Sequence, residues 1–266
     1  VIIGNFKSCL KSLSNEIKDS YIVFDFMPYE CYLDLRTQCA KKYNFTGIVV
    51  DTHNIVPCWS ASEKEEYAAR TFRPKLLKKI AKYLVEPKNH LLNQKTRVQN
   101  KFDVEKFSLA IIAEEIKLQN VTFEAGEDAA LKMFNNFLLN KITGYSSNKN
   151  DPTLSQTSNM SPYLHFGQIS SLRIVLNILK EYPQIKFPFN AENIDIESYL
   201  EEVIIRKELA DNFCYYNTDY DNLKGAKNWA KITLNDHLGD SRDYIYNLKE
   251  LETASTHDTA WNSAQM

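Results

Sequence analysis

Several features are missing from this sequence, and each absence excludes a class of protein. No apolar run approaches the ~20 residues that a membrane-spanning helix needs. Polar residues such as Asn5, Lys7 and Lys11 interrupt the first segment, so no secretory leader is expected. The sequence also contains neither a repeat of fixed period nor a low-complexity tract. It therefore predicts an intracellular globular protein, located in the cytoplasm or the nucleus.

The cysteines lack the paired spacing of a disulfide framework. Scattered cysteines are typical of reduced thiols in an intracellular protein. His53 has no second histidine or cysteine at the spacing of metal ligands. We therefore expect neither disulfides nor a metal site. The five cysteines are Cys9, Cys31, Cys39, Cys58 and Cys214.

The second half of the chain lacks basic charge. Residues 145–266 carry 11 Lys and Arg against 17 Asp and Glu, a net charge of −6, and the rest of the chain carries a net charge of +4. Nucleic-acid-binding proteins usually have a basic footprint. Composition alone therefore gives no support for DNA binding by this half, and any such surface must be local or lie in chain not included here.

What the sequence does contain begins with a predicted βαβ unit. The β-branched and aromatic runs 21–26 and 47–51 predict two buried strands, and the apolar spacing within 29–43 predicts a helix between them. Such a unit implies a parallel sheet covered on both faces, and 8–18 is predicted to be one further covering helix. The polar residues 51–54 follow the second strand, where open α/β sheets bind ligands.

The next segment combines a helix signal with a long polar stretch. Ser62 and Glu65 have the spacing of a capping box, which predicts a helix running to about Arg70, and Pro74 is expected to interrupt it. Residues 86–106 are polar and lack periodicity, so the region 86–120 is interpreted as an interdomain linker.

From residue 121 onward the pattern is helical. Apolar residues at helical spacing predict helices over 127–142, 171–179, 198–216 and 226–237. The predicted fold class is α/β plus all-α. The predicted domains are 1–85 (a partial α/β domain), 86–120 (the linker region) and 121–266 (a partial helical domain).

The stretch 157–168 is the most informative part of the sequence. It is polar up to Ser161 and becomes apolar behind Pro162, a residue that suits the first turn of a helix. A loop that leads into a helix start presents backbone N–H groups and hydroxyls, which attract a phosphate or pyrophosphate. An ordinary capped helix is the alternative, and spacing alone favours it.

The same stretch resembles the flavin-binding loop of the photolyase/cryptochrome superfamily. The run 202–217 resembles the class II cyclobutane pyrimidine dimer photolyases in particular, and the segments 51–59, 66–74 and 256–262 are similar to the same family, in the same order. The resemblance implies a Rossmann-like antenna domain, of which the C-terminal part is present, followed by a helical FAD-binding domain. It also implies that the chain is truncated at both ends.

The resemblance implies that FAD, reduced in the active form, is the cofactor, with a second antenna chromophore of unknown identity as a further possibility. Tyr145 matches a tyrosine that contacts the flavin, although a tyrosine packing a helix end is the alternative. Asn212 is expected at the flavin edge or behind it. Together with these two residues, the implied cofactor-binding residues are Thr157, Ser158, Asn159, Met160, Ser161 and Leu164.

The implied catalytic residues are Glu202 and Trp261. Glu202, when protonated or polarised, would hydrogen-bond the carbonyls of the flipped pyrimidine pair, and Trp261 would belong to a relay that carries electrons to the flavin. The alternatives are a surface ion pair of Glu202 with Arg206 and a core tryptophan. Lys149, Arg206 and Lys207 are the implied DNA-binding residues, although Lys149 is equally well explained as a solvated loop lysine.

The resemblance thus predicts a monomeric deoxyribodipyrimidine photo-lyase, a carbon–carbon lyase that repairs UV-induced pyrimidine dimers in DNA by light-driven electron transfer from FAD. A cryptochrome-like flavin photoreceptor is the first alternative. The second is a non-catalytic helical interaction protein descended from the same family.

Overall fold

The computed structural model describes residues 21–88, 123–187 and 193–266. The predicted helix 8–18 and most of the predicted linker 86–120 lie outside these ranges. The chain divides into two compact units, the first ending at Thr218 and the second comprising Asp219–Met266. Within the described residues, no helix is both long enough and apolar enough to cross a bilayer.

The first unit begins with the predicted βαβ arrangement. Strands β1 (Tyr21–Asp25) and β2 (Thr46–Val50) pair in parallel, with Tyr21 opposite Thr46 and Asp25 opposite Val50. Helix α1 (Glu30–Tyr43) connects them. It ends at Asn44, whose positive φ of 50° gives a left-handed cap.

The prediction that both strands are buried is wrong. All five residues of β2 are exposed, and β1 alternates between exposed and half-buried residues. The physical reason is that the described residues cover only one face of the sheet. Ile22 and Phe24 of β1 pack on the small cluster around Cys39 and Phe45 beside α1, whereas Tyr21 and Val23 face solvent. A parallel sheet buries both faces only where helices cover both.

After the sheet, the chain forms α2 (Cys58–Ala61) and α3 (Ala69–Ile80). The helix predicted from the capping box at Ser62 is wrong, because the Ser62 hydroxyl donates to Glu66 Oε1 over 2.7 Å and residues 62–68 are not helical. Helix α3 instead runs through Pro74, which removes only one hydrogen bond within the helix. Burial of Phe72, with its neighbours Leu76 and Ile80, offsets that loss.

The helical part of the first unit follows the predicted pattern. Its elements are α4 (Glu127–Asn140), α5 (Tyr145–Asn148), α6 (Ser161–His165), α7 (Ser171–Glu181), α8 (Ile194–Leu200), a π-helical turn (Glu201–Arg206) and α9 (Lys207–Tyr216). The sequence predicts one regular helix over 198–216, but the π-helical turn interrupts it in the middle. One hydrophobic core joins these helices to α3 and to Ile55 and Val56.

The second unit contains a short 3₁₀ turn (Leu223–Gly225) followed by α10 (Asn228–Asp236), α11 (Leu248–Glu252) and α12 (Thr259–Gln265). Asn247 forms the capping box of α11 with Glu250, and Asp258 accepts from the backbone N–H groups of Ala260 and Trp261 at the start of α12. The predicted helix 226–237 corresponds to α10.

Candidate functional site

Tyr145 lies at the start of α5, where a tight turn presents it to the core. Gly144 has a φ of +81°, a conformation that suits a residue without a Cβ atom. The carboxylate of Asp195 accepts hydrogen bonds from the N–H of Gly144 (2.8 Å), the N–H of Ser146 (2.8 Å) and the hydroxyl of Ser146 (2.7 Å). Asp195 therefore holds the backbone on both sides of Tyr145. Local sequence patterns do not predict this contact, because 49 positions or more separate the partners.

The ring of Tyr145 belongs to an aromatic cluster. It packs edge-on against Phe137, with centroids 5.6 Å apart, and against Tyr199, with centroids 5.4 Å apart. Phe134 stacks on the other side of Tyr199. Only 7% of Tyr145 is exposed, and burial raises the pKa of its phenol. The ring is rigidly placed before any ligand is bound.

Lys149 connects Tyr145 to Glu202. Its Nζ lies 5.6 Å from the centroid of the Tyr145 ring and 2.6 Å from Oε1 of Glu202. The lysine side chain is 20% exposed and that of Glu202 is 44% exposed. Three residues that the sequence assigns to cofactor, DNA and catalysis thus form one continuous chain of contacts, with Glu202 at the solvent side.

Gln156, the residue before the loop 157–161, connects this loop to the turn that precedes Tyr145. The side-chain amide of Gln156 donates to the carbonyl oxygen of Thr143 over 2.9 Å and also to that of Lys141. These two carbonyls belong to the turn before Tyr145, so Gln156 holds the loop beside that turn. Gln156 is a positioning residue that sequence reasoning missed.

Several polar residues of the loop are exposed, and the Thr157 hydroxyl donates to Oδ1 of Asn159 over 3.2 Å within it. Thr157 and Ser161 are exposed, and Asn159 adopts a left-handed φ of 56°. Among the described residues, the backbone N–H groups of Thr157, Ser158 and Asn159 have no acceptor. Hydroxyls next to unpaired N–H groups are a donor set that fits the phosphates of a dinucleotide such as FAD. The predicted helix start is confirmed but short, since α6 has five residues.

Two other predicted cofactor residues belong to the protein core. Met160 is 1% exposed, and its N–H donates to the Ser158 hydroxyl at 3.4 Å. Leu164 is half-buried and packs against the main hydrophobic core. Met160 therefore supports the loop from the core, and Leu164 leaves part of its side chain open.

Helix α9 holds two loops of the first part of the chain. Asn212 accepts from the N–H of Glu66 (2.8 Å) and donates to the carbonyl of Lys64 (3.1 Å). Lys207 donates to the carbonyl of His53 (2.8 Å) and to Oδ1 of Asn54 (3.1 Å). Both side chains are committed to contacts within the protein. The segments 51–59, 66–74 and 202–217 therefore form one connected structure.

The charges on either side of this helix differ in exposure. Arg206 is 57% exposed at the end of the π-helical turn, and its Nε lies 3.5 Å from Oε1 of Glu201. The side chain of Lys207 is 17% exposed, and burial lowers its pKa. Arg206 is therefore open to a partner from solvent, and Lys207 faces the protein.

A cavity of about 360 Å³ lies at the carboxyl ends of the two strands. Asp25, Thr52 and His53 line one side, and Leu164 and Lys207 are part of the other. The hydroxyl of Thr52 donates to Oδ1 of Asp25 over 2.7 Å, which ties the two strand ends together. This is the place at which the sequence predicts a ligand in an open α/β sheet.

Trp261, the second predicted catalytic residue, lies on α12 of the second unit. It is 47% exposed. Nearby in that unit, the ring of His257 stacks on Tyr244 with centroids 3.6 Å apart. Within the described residues, no cluster of three or more His, Cys, Asp or Glu side chains forms a possible metal site.

Comparisons with known proteins agree on one enzyme. No family model matches the chain. It is 36% identical to a deoxyribodipyrimidine photo-lyase from Arabidopsis thaliana, in an alignment of 99% of this chain and 54% of that protein. It is 40% identical to the protein of that name from Oryza sativa subsp. japonica, over 82% of this chain and 43% of the relative. The chain thus spans about half the length of the curated relatives it matches.

Two further comparisons extend this result. A deoxyribodipyrimidine photo-lyase from Potorous tridactylus is 36% identical over 92% of this chain and 46% of its own length. Among solved structures, a bacterial class III photolyase from Agrobacterium tumefaciens matches with a TM-score of 0.54 and 16% identity, over 94% of this chain and 51% of the other. The structural match shows that the chain shares the fold of that protein over about half of its length.

Proposed function

We propose that the chain belongs to the photolyase family and is the part of a class II deoxyribodipyrimidine photo-lyase that holds the flavin loop and one side of the lesion pocket. The proposed reaction is light-driven repair of cyclobutane pyrimidine dimers in DNA. The observation that carries the proposal is the contact chain Tyr145–Lys149–Glu202 beside the loop 157–161. The protein is proposed to act as an intracellular monomer.

Reduced FAD, when bound and excited by light, supplies one electron that splits the cyclobutane ring and then receives it back. The residues of this chain bind and orient the reactants. Thr157, Ser158 and Asn159 would hold the flavin phosphates with N–H and side-chain groups, together with Ser161. Tyr145, fixed by Asp195, would pack against the flavin.

Three other predicted cofactor residues support the pocket from behind. Met160 and Leu164 anchor the loop and α6 in the core. Asn212 fixes the loop 64–66 through both of its polar groups. We assign these residues to shaping the flavin site, with Asn212 acting through the loop that it binds.

Glu202 is proposed to meet the lesion. A pyrimidine dimer inside a duplex cannot be reached, so it must be extruded, and its poor pairing and stacking lower the cost of extrusion. The Glu202 carboxyl group lies on the exposed side of the contact chain. There, when it carries a proton, it can donate a hydrogen bond to a carbonyl of an extruded pyrimidine pair once Lys149 releases it.

DNA phosphates are proposed to bind Lys149 and Arg206. Arg206 is exposed and can form two parallel hydrogen bonds with a phosphate. Lys149 would exchange Glu202 for a phosphate. Lys207 was assigned to DNA by the family resemblance, and its contacts with His53 and Asn54 instead support a role in fixing the loop beside the pocket.

The cavity at the strand ends is the proposed site of a second, antenna chromophore. Its lining combines Asp25, Thr52 and His53 with the apolar side chain of Leu164. A mixed polar and apolar lining suits a planar aromatic ligand with polar edges. Trp261 is proposed to carry electrons toward the flavin.

A cryptochrome-like photoreceptor remains the second candidate because it would use the same flavin loop. The deciding experiment is repair of a thymine-dimer oligonucleotide by the complete, flavin-loaded protein, in light and in darkness. Repair in light alone is expected. Bound flavin without repair would overturn the enzyme assignment in favour of a photoreceptor, and a complete protein that binds no flavin would contradict both assignments.

A further inference from the structure

Arg73 and Glu201 form a forked ion pair between two distant helical segments. Nε of Arg73 donates to Oε2 of Glu201 over 3.0 Å, and Nη2 donates to Oε1 over 2.6 Å. The two residues are 128 positions apart in the sequence. The Glu201 side chain is 19% exposed, so the pair is partly shielded from water. Two parallel hydrogen bonds fix the direction of the carboxylate as well as its position.

The pair acts on the π-helical turn. Glu201 is the first residue of this turn and Glu202 is the second. Such turns insert one residue into a helix and are frequent at functional sites. On the inner side, Val203, Ile204 and Ile205 are buried in the hydrophobic core. On the outer side, the polar contacts of the turn are those of its two glutamates and Arg206.

Neighbouring carboxylates in the turn therefore have different partners. Glu201 binds Arg73, with Arg206 more distant at 3.5 Å, and Glu202 binds Lys149. If Glu201 were free, Lys149 and Arg206 could each pair with either glutamate. Arg73 narrows that choice, because its fork binds both oxygens of Glu201 and leaves Arg206 only the longer contact at 3.5 Å.

We propose that Arg73 is a positioning residue that, by clamping Glu201, holds the π-helical turn in the register that presents Glu202 to an extruded pyrimidine dimer. The inference rests on the proposed function, since it gives Glu202 the lesion as its partner. The predicted effect is on recognition of the lesion and not on flavin binding, because Arg73 has no contact with the loop 157–161 among the described residues.

The test uses the complete, flavin-loaded protein and the variants Arg73→Gln and Arg73→Lys. Arg173→Gln is the control for loss of an arginine–glutamate pair elsewhere, because Nη1 of Arg173 donates to both carboxylate oxygens of Glu86, at 3.0 and 2.9 Å. The first readout is the ratio of Kd values for undamaged and dimer-containing oligonucleotides. We expect this ratio to fall about tenfold in Arg73→Gln and less in Arg73→Lys, with flavin content unchanged. The control should retain the wild-type ratio.

The second readout is amide hydrogen exchange of residues 201–206 in the absence of DNA. Exchange should accelerate in Arg73→Gln and return toward wild type when the pair is rebuilt in reverse as Arg73→Glu with Glu201→Arg. Unchanged exchange would overturn the clamp even if the complete protein repairs no DNA. Accelerated exchange with an unchanged Kd ratio would show that Arg73 holds the turn but does not affect how Glu202 meets the lesion, which would overturn the proposal. A wild-type protein that does not discriminate dimers would instead contradict the proposed function, so the two failures are distinguishable.

Discussion

The backbone N–H of Ile55 donates a hydrogen bond to Oε1 of Glu208 over 2.7 Å, across 153 positions of sequence. Glu208 is 2% exposed. Burial raises the pKa of its carboxyl group to about 8. A buried carboxyl group with a raised pKa therefore holds the loop after β2 against α9, beside the Lys207 contacts.

This relationship makes stability depend on pH. The pKa of Glu208 is higher in the folded state than in the unfolded state, where it is about 4.3. The folded state thus binds the extra proton between about pH 4 and the folded value of about 8, and its contribution to stability is lost as pH rises through this window. In Glu208→Gln the thermal midpoint should fall less between pH 5 and pH 8 than in wild type. Equal slopes for the two proteins would contradict the raised pKa.

Replacing Tyr145 tests the flavin assignment. Tyr145→Leu removes an aromatic face that is proposed to contact the flavin, so the Kd for FAD should rise about tenfold in the complete protein. Phe134→Leu is the control, because Phe134 packs on Tyr199 in the same cluster and is fully buried. Both variants should have a lower free energy of unfolding. Only Tyr145→Leu should also bind FAD more weakly than its loss of stability explains. Unchanged flavin stoichiometry in Tyr145→Leu would refute the assignment.

Asp195 should control the turn that presents Tyr145. In Asp195→Ala the N–H groups of Gly144 and Ser146 lose their acceptor, which should lower the free energy of unfolding by about 1 kcal/mol and weaken FAD retention. Asp151→Ala is the control, since Asp151 accepts comparable bonds from Thr153 within its own turn. Flavin titration should show weaker FAD binding in Asp195→Ala than in Asp151→Ala. Equal affinities in the two variants would show that Asp195 does not position the site.

The pH dependence of Asp195 has the opposite sign to that of Glu208. Burial opposes ionisation of Asp195, but its hydrogen bonds from Ser146 and Gly144 outweigh burial and lower the pKa of the carboxyl group. Its contribution to stability is therefore present above its unfolded pKa and is lost as pH falls through the lower, folded value. Asp195→Ala should remove this part of the acid sensitivity.

Lys149 should contribute one phosphate contact. In the complete protein, Lys149→Gln is expected to weaken binding to damaged and undamaged DNA alike and to reduce the salt slope of log K by about 1. Lys132→Gln changes charge equally at an exposed position of α4 and should leave the slope unchanged. An equal salt slope in wild type and Lys149→Gln would show that Lys149 pairs with Glu202 and makes no contact with a DNA phosphate.

Trp261 should matter for reduction of the flavin and not for repair itself. Trp261→Phe is expected to slow light-driven reduction of oxidised FAD at least tenfold, because the aromatic side chain of lowest ionisation cost is lost from the relay. The same variant, reduced chemically, should repair dimers at the wild-type rate. Trp229→Phe, a change at a 72% exposed tryptophan of the same unit, is the control. Wild-type photoreduction in Trp261→Phe would exclude this tryptophan from the relay.

Local sequence patterns predict the helices α1, α4, α7 and α10 and the parallel pairing of β1 with β2, since each depends on the spacing of nearby residues. The π-helical turn was not predictable, because Glu201–Arg206 has an ordinary helical pattern and Arg73, which binds its first residue, is far away in sequence. The same applies to Asp195 and Gln156, which act through long-range hydrogen bonds. The burial of Glu208 was not predictable for another reason, since an acidic residue in an amphipathic helix is usually exposed to solvent.

The shared core also has a practical consequence for dividing the protein into pieces. Phe72, Leu76 and Ile80 of α3 lie in the same hydrophobic cluster as Phe134, Phe137 and Ile204. Cleavage of the chain near residue 85, the boundary that composition suggests, would separate two halves of one core and expose apolar surface on both. A piece that retains 51–80 together with 127–216 keeps that core intact. The two pieces on either side of residue 85 are expected to aggregate when each is expressed alone. They are expected to recover solubility when they are produced together.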